Sequence, residues 1–255
     1  MSSTLLAAAL IVLAAAAISA AGFRLALRLR PRFRDEEQTD VKSVYFSMVG
    51  VLYAILLAFV VVVAWEQFNA AEEATHTEAT RMSNLMRDAG AFPDADRQQV
   101  RSAVVTYAEA IVEHEYPAMS GGRTSPHGAA AYERIWTEFY GVDVKEEPAV
   151  TFYAESLERL NDLGEARRLR MLASRSTIPL PLWVLLIGGG IFTIAWLYPF
   201  HMANVRTQTV AIGTLGGFTG FVLFLVYALQ HPFAGEVAID PSVYEDLVTL
   251  WKGRL

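Results

Sequence analysis

Five histidines, His76, His114, His127, His201 and His231, are the side chains best suited to proton transfer or metal binding near neutral pH. No two stand at a zinc-binding spacing, and no H-E-x-x-H occurs. Glu72 and His76 are one helical turn apart, a spacing that a metal can use and that an exposed helical face also produces. Glu113, His114 and Glu115 are consecutive, so on a helix they point in different directions. No glycine-rich phosphate loop follows a strand pattern, and no basic stripe marks a nucleic-acid surface. The absence of cysteine removes thiolate and disulfide chemistry. The expectation is a protein that is not an enzyme, with no metal, no cofactor and no nucleic-acid partner.

The elements that would position any site are written in the charge pattern. No Asp, Glu, Lys or Arg occurs in residues 1–23, 43–65, 176–205 or 207–235. The last three gaps are 23, 30 and 29 residues long, and about 20 apolar residues suffice to cross a hydrocarbon core. Four transmembrane helices are expected, at about residues 4–23, 44–65, 178–201 and 207–230. Tyr45, Trp65, Trp183, Trp196, Tyr198 and Tyr227 fall near their ends, where amphipathic rings favour the headgroup level. Pro179 and Pro181 open the third helix, where a missing amide hydrogen costs least. The first segment differs from a secretory signal because Arg24, Arg28, Arg30, Arg32 and Arg34 follow its apolar run rather than precede it. A retained helix is expected.

Residues 66–175 carry 19 acidic and 12 basic side chains, a net charge of −7. Val100, Val104, Tyr107, Ala108, Ile111 and Val112 recur at helical spacing, as do Ile135, Trp136, Phe139 and Tyr140, then Leu157, Leu160 and Leu163. Gly- and Pro-rich stretches at 90–96 and 117–128 mark the breaks. The fold class is therefore an all-α membrane protein with four transmembrane helices and a helical soluble block between helices 2 and 3. Its expected domains are residues 1–65 (helices 1 and 2), 66–175 (the extramembrane domain), 176–230 (helices 3 and 4) and 231–255 (a C-terminal tail). Arg24, Arg28, Arg30, Arg32, Arg34, Lys42 and Arg206 flank one side of the membrane. Arg81, Arg167, Arg168, Arg170, Arg175, Lys252 and Arg254 flank the other. The balance leaves a multi-pass cell-membrane protein whose soluble domain has no assigned side.

Helix 2 is the most informative element. Ser47, Val51, Ile55, Phe59 and Val63 follow one another at i+4 steps, on one slowly drifting stripe. Past Trp65, Glu66 and Gln67 the rhythm continues through Phe68, Ala71, Thr75, Met82, Leu85 and Met86 to about residue 89. A helix of about 45 residues is near 70 Å long, far more than a bilayer requires. It suits either the wall of a continuous pore or a rigid stalk. Helix 4 carries Gly213/Gly217 and Gly216/Gly220, two small-xxx-small pairs that fit packing within the chain or between subunits. His231 either belongs to a helix cap ended by Pro232 or titrates as a gate at the membrane face.

Trp65-Glu66-Gln67-Phe68, after a valine-rich helix, resembles the tryptophan-x-Gln-aromatic segment that ends the pore helix of bestrophins. Glu115-Tyr116-Pro117 and His231-Pro232-Phe233-Ala234-Gly235-Glu236, with Asp240-Pro241 beyond, resemble the bestrophin-like bacterial family over about residues 44–247. The resemblance implies a homo-oligomer, a pentamer if like bestrophins, in membrane lipid, with helix 2 lining a path for small inorganic ions. It implies pore-lining roles for Ser47, Val51, Ile55, Phe59 and Val63, and a pore mouth at Trp65, Glu66 and Gln67. The chain departs from bestrophins in having aliphatic residues or a single phenylalanine where they carry aromatic rings. No acidic calcium clasp is recoverable, so calcium gating is not expected. Bestrophin topology would put the soluble block in the cytoplasm, against the count of positive charge in the short loops. The anion selectivity of bestrophins also conflicts with a net −7 block, which would attract cations if it forms a vestibule. The alternative is a non-conducting scaffold or sensor whose soluble helices bind a partner.

Overall fold

The structure, a computed structural model, describes residues 3–29, 39–144, 149–175, 177–200, 204–235 and 237–253. Arg30, Arg32, Arg34, His201, Glu236 and Arg254, and the side chain of Lys42, lie outside the described residues. Among those described, nine α-helices and no strand occur. They are α1 (Ser3–Leu29), α2 (Thr39–Asp88), α3 (Asp94–Ala110), α4 (Tyr116–Met119), α5 (Pro126–Tyr140), α6 (Ala149–Ala173), α7 (Leu180–Trp196), α8 (Val205–Leu229) and α9 (Ser242–Lys252). A 3-10 turn (Ala89–Ala91) follows α2, and a π-helical turn (Ile111–Glu115) follows α3. The chain forms two compact units, one from residues up to Glu66 with Thr177–Gln230, the other from Gln67–Ser176 with residues from His231 onward. Among the described helices, α2 alone belongs to both.

The first unit contains three helices long and apolar enough to cross a membrane: α1, the part of α2 from Val44, and α8. The protein is a multi-pass membrane protein. α7 is apolar but has 17 residues, fewer than the 178–201 span that its charge gap predicts. Its ends are set by proline: Pro179 occupies the N-cap with extended ψ, and Pro199 follows Tyr198, where it disfavours helical backbone.

Lipid tails give helices no hydrophobic reason to associate, so close approach and satisfied polar groups must hold this unit together. The glycines of α8 provide the approach, because they face α1. A Cβ on Gly220 would stand 2.7 Å from Ala15 Cβ, and one on Gly217 would stand 3.3 Å from the Val12 carbonyl. Gly213 lies against Ala16 and Ala20 on the same ridge. The ring of Tyr53 (α2) lies over Gly189 and Gly190 of α7, and its hydroxyl donates to the Leu186 carbonyl at 2.9 Å. Trp183 Nε1 donates to Gln230 Oε1 at 3.1 Å, and Tyr198 donates to the Ser19 carbonyl at 3.3 Å.

The second unit has a conventional apolar core. Met82, Leu85 and Met86 of α2 meet Val100, Val104, Tyr107 and Ile111, together with Ile135, Phe139, Leu160 and Leu163. Tyr140, expected on this inner face, is instead 73% exposed and packs beside Trp136. Ile135 and Phe139 define the buried face, and Tyr140 lies one residue further around the helix. Residues from His231 onward join this unit: α9 buries Tyr244, Leu247 and Trp251, and Arg101 lies over the Trp251 ring.

Gly216 tests the α1–α8 seam. A Cβ there would stand 2.1 Å from Ser19 Oγ and 3.0 Å from the Ala15 carbonyl. Gly216→Val is expected to destabilise the detergent-solubilised protein by about 1–3 kcal/mol, seen as a lower thermal midpoint. Gly188→Ala meets nothing within 4 Å and should leave the midpoint unchanged.

Candidate functional site

Two arrangements stand out, and α2 takes part in both. The first is its exposed face. Ser47 is exposed, and Val51, Ile55, Phe59 and Val63 are between 44% and 68% exposed. Past Trp65 the exposed positions of α2 are Glu66, Asn69, Ala70, Glu72, Glu73, His76, Thr80 and Arg87, while Gln67 is half-buried. At 3.6 residues per turn, Val51, Ile55, Phe59, Val62, Glu66, Asn69, Glu73, His76 and Thr80 stay within a sector of about 100°. The opposite sector carries Tyr53, Val60, Ala64, Ala71, Glu78, Met82 and Leu85, which are buried except for the half-buried Tyr53. One side of this 50-residue helix is thus covered by its own chain and the other is bare, apolar at first and then acidic. Glu72 and His76 are both exposed, and among the described residues no group of three or more His, Asp or Glu could hold a metal ion.

The second arrangement is a buried ion network. Arg170 of α6 has no exposed surface and lies between Glu78 of α2 and Glu115 of the π turn, both also fully buried. Its Nε donates to Glu78 Oε2, its Nη2 to Glu78 Oε1 (3.2 Å) and to Glu115 Oε2, and its Nη1 to Met119 Sδ (3.0 Å). Arg167, one turn earlier, donates to Glu115 Oε1 at 2.6 Å. Two carboxylates and two guanidiniums cancel, as buried charge requires. Glu78 also accepts from Tyr107 of α3 and from Tyr244 of α9 at 2.9 Å.

The motif residues that carry the family resemblance meet here in part. The π turn adds a residue to the helix and carries Glu115 to its partners. Gly128 of α5 makes room for it: a Cβ there would stand 2.0 Å from Glu115 Oε1. The Tyr116 ring meets Phe233 edge-on at 5.5 Å and Tyr244 at 6.1 Å. Pro117 stands in the first turn of α4, which follows the π turn with no break in helical backbone. His231 and Pro232 follow the Gln230 cap of α8, the Pro232 carbonyl accepts from the Ile239 amide at 2.7 Å, and Gly235 turns the chain at φ +83°.

The sequence places Arg170 among the charges that flank the membrane, and the structure buries it completely. Glu78, Tyr244 and Gly128 went unnoticed because their partners are far away in sequence, 92 residues in the case of Glu78 and Arg170. The one available signal was an acidic residue, Glu78, on the apolar face shared by Ala71, Thr75, Met82 and Leu85.

Burial pushes the Tyr107 and Tyr244 hydroxyls well above the usual phenol range, and the Glu78 charge beside them pushes the same way. Tyr116 is pushed up to about 12, again mainly by burial. Burial pulls Arg170 down most strongly, but Glu78, Tyr244 and Tyr107 together push it well above the usual guanidinium range.

A family model described as the Bestrophin-like domain matches residues 13–244. Two solved structures of a bacterial bestrophin homologue from Klebsiella pneumoniae share the fold. One, an isoleucine-to-threonine variant, has 13% identity and a TM-score of 0.69, covering 94% of this chain and 97% of that one. The other, an aspartate-to-alanine variant, has 13% identity and a TM-score of 0.68, covering 96% of each chain. No curated protein matches the sequence significantly.

Two predictions follow from the network. Arg170→Met would strand two buried carboxylates and is expected to cost about 3–5 kcal/mol, read as a lower unfolding midpoint. The raised phenols give a stability term that is fully present below about pH 10, the unfolded phenol value. It is lost as pH rises further, because the unfolded chain releases those protons first. Replacing Tyr107 and Tyr244 together by Phe should flatten the loss of stability above about pH 10, while lowering stability at neutral pH.

Proposed function

Because the chain belongs to the bestrophin-like family, we propose that it assembles as a homo-oligomer around an ion pathway lined by the bare face of α2. The single observation that carries this reading is that face. It runs from Val51 to Thr80, apolar in its first half and polar past Trp65, so copies sharing one axis would present both halves to the same path. Several copies around an axis, five if the assembly follows bestrophins, would stack rings of the same residue along a path about 45 Å long. α7 supplies the fourth membrane crossing. Its 17 residues span about 26 Å, close to the hydrocarbon thickness.

The chemistry of the rings then divides the path. Val51, Ile55 and Phe59 form the narrowing, where an apolar ring controls passage by shedding water. Trp65, Glu66 and Gln67 form the mouth, and Glu66 and Glu73 place carboxylate rings on the same sector. Rings of like charge set selectivity, and acidic rings favour cations. The reading is thus a pore for small inorganic ions that prefers cations.

Flux of potassium and of chloride, measured separately in liposomes holding the purified oligomer, tests it. Potassium is expected to pass faster. Ile55→Ala should raise conductance by widening the neck, and joint Glu66→Lys and Glu73→Lys should cut the cation preference by about tenfold or more. No flux of either ion from folded, oligomeric protein would favour a scaffold or sensor that binds a partner.

A further inference from the structure

On the second unit, a cavity of about 580 Å³ opens between α6 and the start of α5. Arg167, Arg168 and Arg175 of the α6 segment line it, and none of its lining residues is acidic. Such a concentration of one sign in a concave site attracts the opposite charge.

The innermost guanidinium is held in place before any ligand arrives. Arg167 lies 5.5 Å over the Tyr132 ring, and its Nη2 is bonded to Glu115. Tyr132 is itself fixed, accepting from Trp136 Nε1 at 3.0 Å and fitting against Gly164, where a Cβ would stand 2.3 Å from its hydroxyl. The Nε of Arg167 is buried and has no partner among the described residues. At the rim, Arg168 is 3.8 Å from Glu165, an exposed pair of little strength, and Arg175 reaches Thr124 Oγ1 at only 3.5 Å. Donors are therefore available that the protein itself does not use fully.

The wall beside these arginines is apolar. Met171 is buried against the core, and Leu172 is 58% exposed next to the rim. Guanidinium forks beside exposed leucine suit a group with phosphate at one end and hydrocarbon at the other.

We propose that this cavity binds a phosphate-bearing anion, through Arg168 and Arg175 at its rim and Arg167 at its floor. Two sources carry that chemistry, an anionic lipid headgroup and a soluble phosphate compound. The site stands independently of the ion pathway, and its readout is binding rather than conductance, so either reading can fail alone.

The test uses the full chain in neutral detergent. One arm adds phosphatidylglycerol or phosphatidylcholine and follows bound lipid by native mass spectrometry, with the thermal midpoint as a second measure. The other arm titrates inorganic pyrophosphate. The variant is Arg168→Gln with Arg175→Gln, both exposed and outside the buried network. The control, Arg87→Gln with Arg134→Gln, removes the same charge elsewhere on exposed helix positions. Preferential binding of phosphatidylglycerol, weakened about tenfold or more in the variant and kept in the control, identifies a lipid site. The same pattern with pyrophosphate alone identifies a soluble ligand. If neither probe distinguishes the variant from the control, the proposal is overturned.

Discussion

A guanidinium with no exposed surface, Arg170, is held between two buried carboxylates, and the second unit is organised around that pairing. A charge taken out of water and left unpaired costs several kcal/mol, about as much as a small domain can lose. The partners come from different elements, so α2, the π turn and α6 must arrive together in one register. Tyr107 and Tyr244 add α3 and α9 to the same requirement through Glu78. Apolar side chains of similar volume could match the network in net stability. What ions add is selectivity of geometry, since a helix displaced by one residue would leave a charge without its partner.

That constraint extends along α2, because a helix carries its phase from end to end. Glu78 must point inward to meet Arg170, and the residues half a turn away, Glu66 and Glu73 among them, must then point outward. No break intervenes, as neither Gly nor Pro occurs between Val51 and Asp88. The ion network thus fixes the rotational phase of α2 around Glu78.

The apolar unit is held by different means. Its helices have no water to escape from, so shape complementarity and internal hydrogen bonds replace the hydrophobic drive. Small residues on α1 (Ala15, Ala16, Ser19) meet the glycine ridge of α8, and Tyr53 uses two glycines of α7 to bring its hydroxyl to a backbone carbonyl. Each contact depends on the lack of a side chain on one partner, which is why glycine recurs on helices that it would weaken in water.

Much of this was legible in the sequence, because local rules suffice for it. Charge-free spans announced the membrane helices, since burying charge in hydrocarbon is costly over any span of about 20 residues. Period-3.6 stripes picked out Val100, Val104, Ile135, Phe139, Leu160 and Leu163 as core, and the run past Trp65 showed that α2 would not stop. The family resemblance rested on short strings, Glu115-Tyr116-Pro117 among them, whose physical purpose no local rule could supply. Only the tertiary structure decided that Glu115 faces Arg167 and Arg170, that Gly128 exists to admit it, and that Tyr244 returns to Glu78 from 166 residues away. It also placed Arg170 at the centre of the second unit and turned Tyr140 outward. Hydropathy and periodicity depend on neighbours along the chain, so the sequence determined the helices and their faces. Pairing of buried charge depends on which faces meet, and that exists only once the helices have packed.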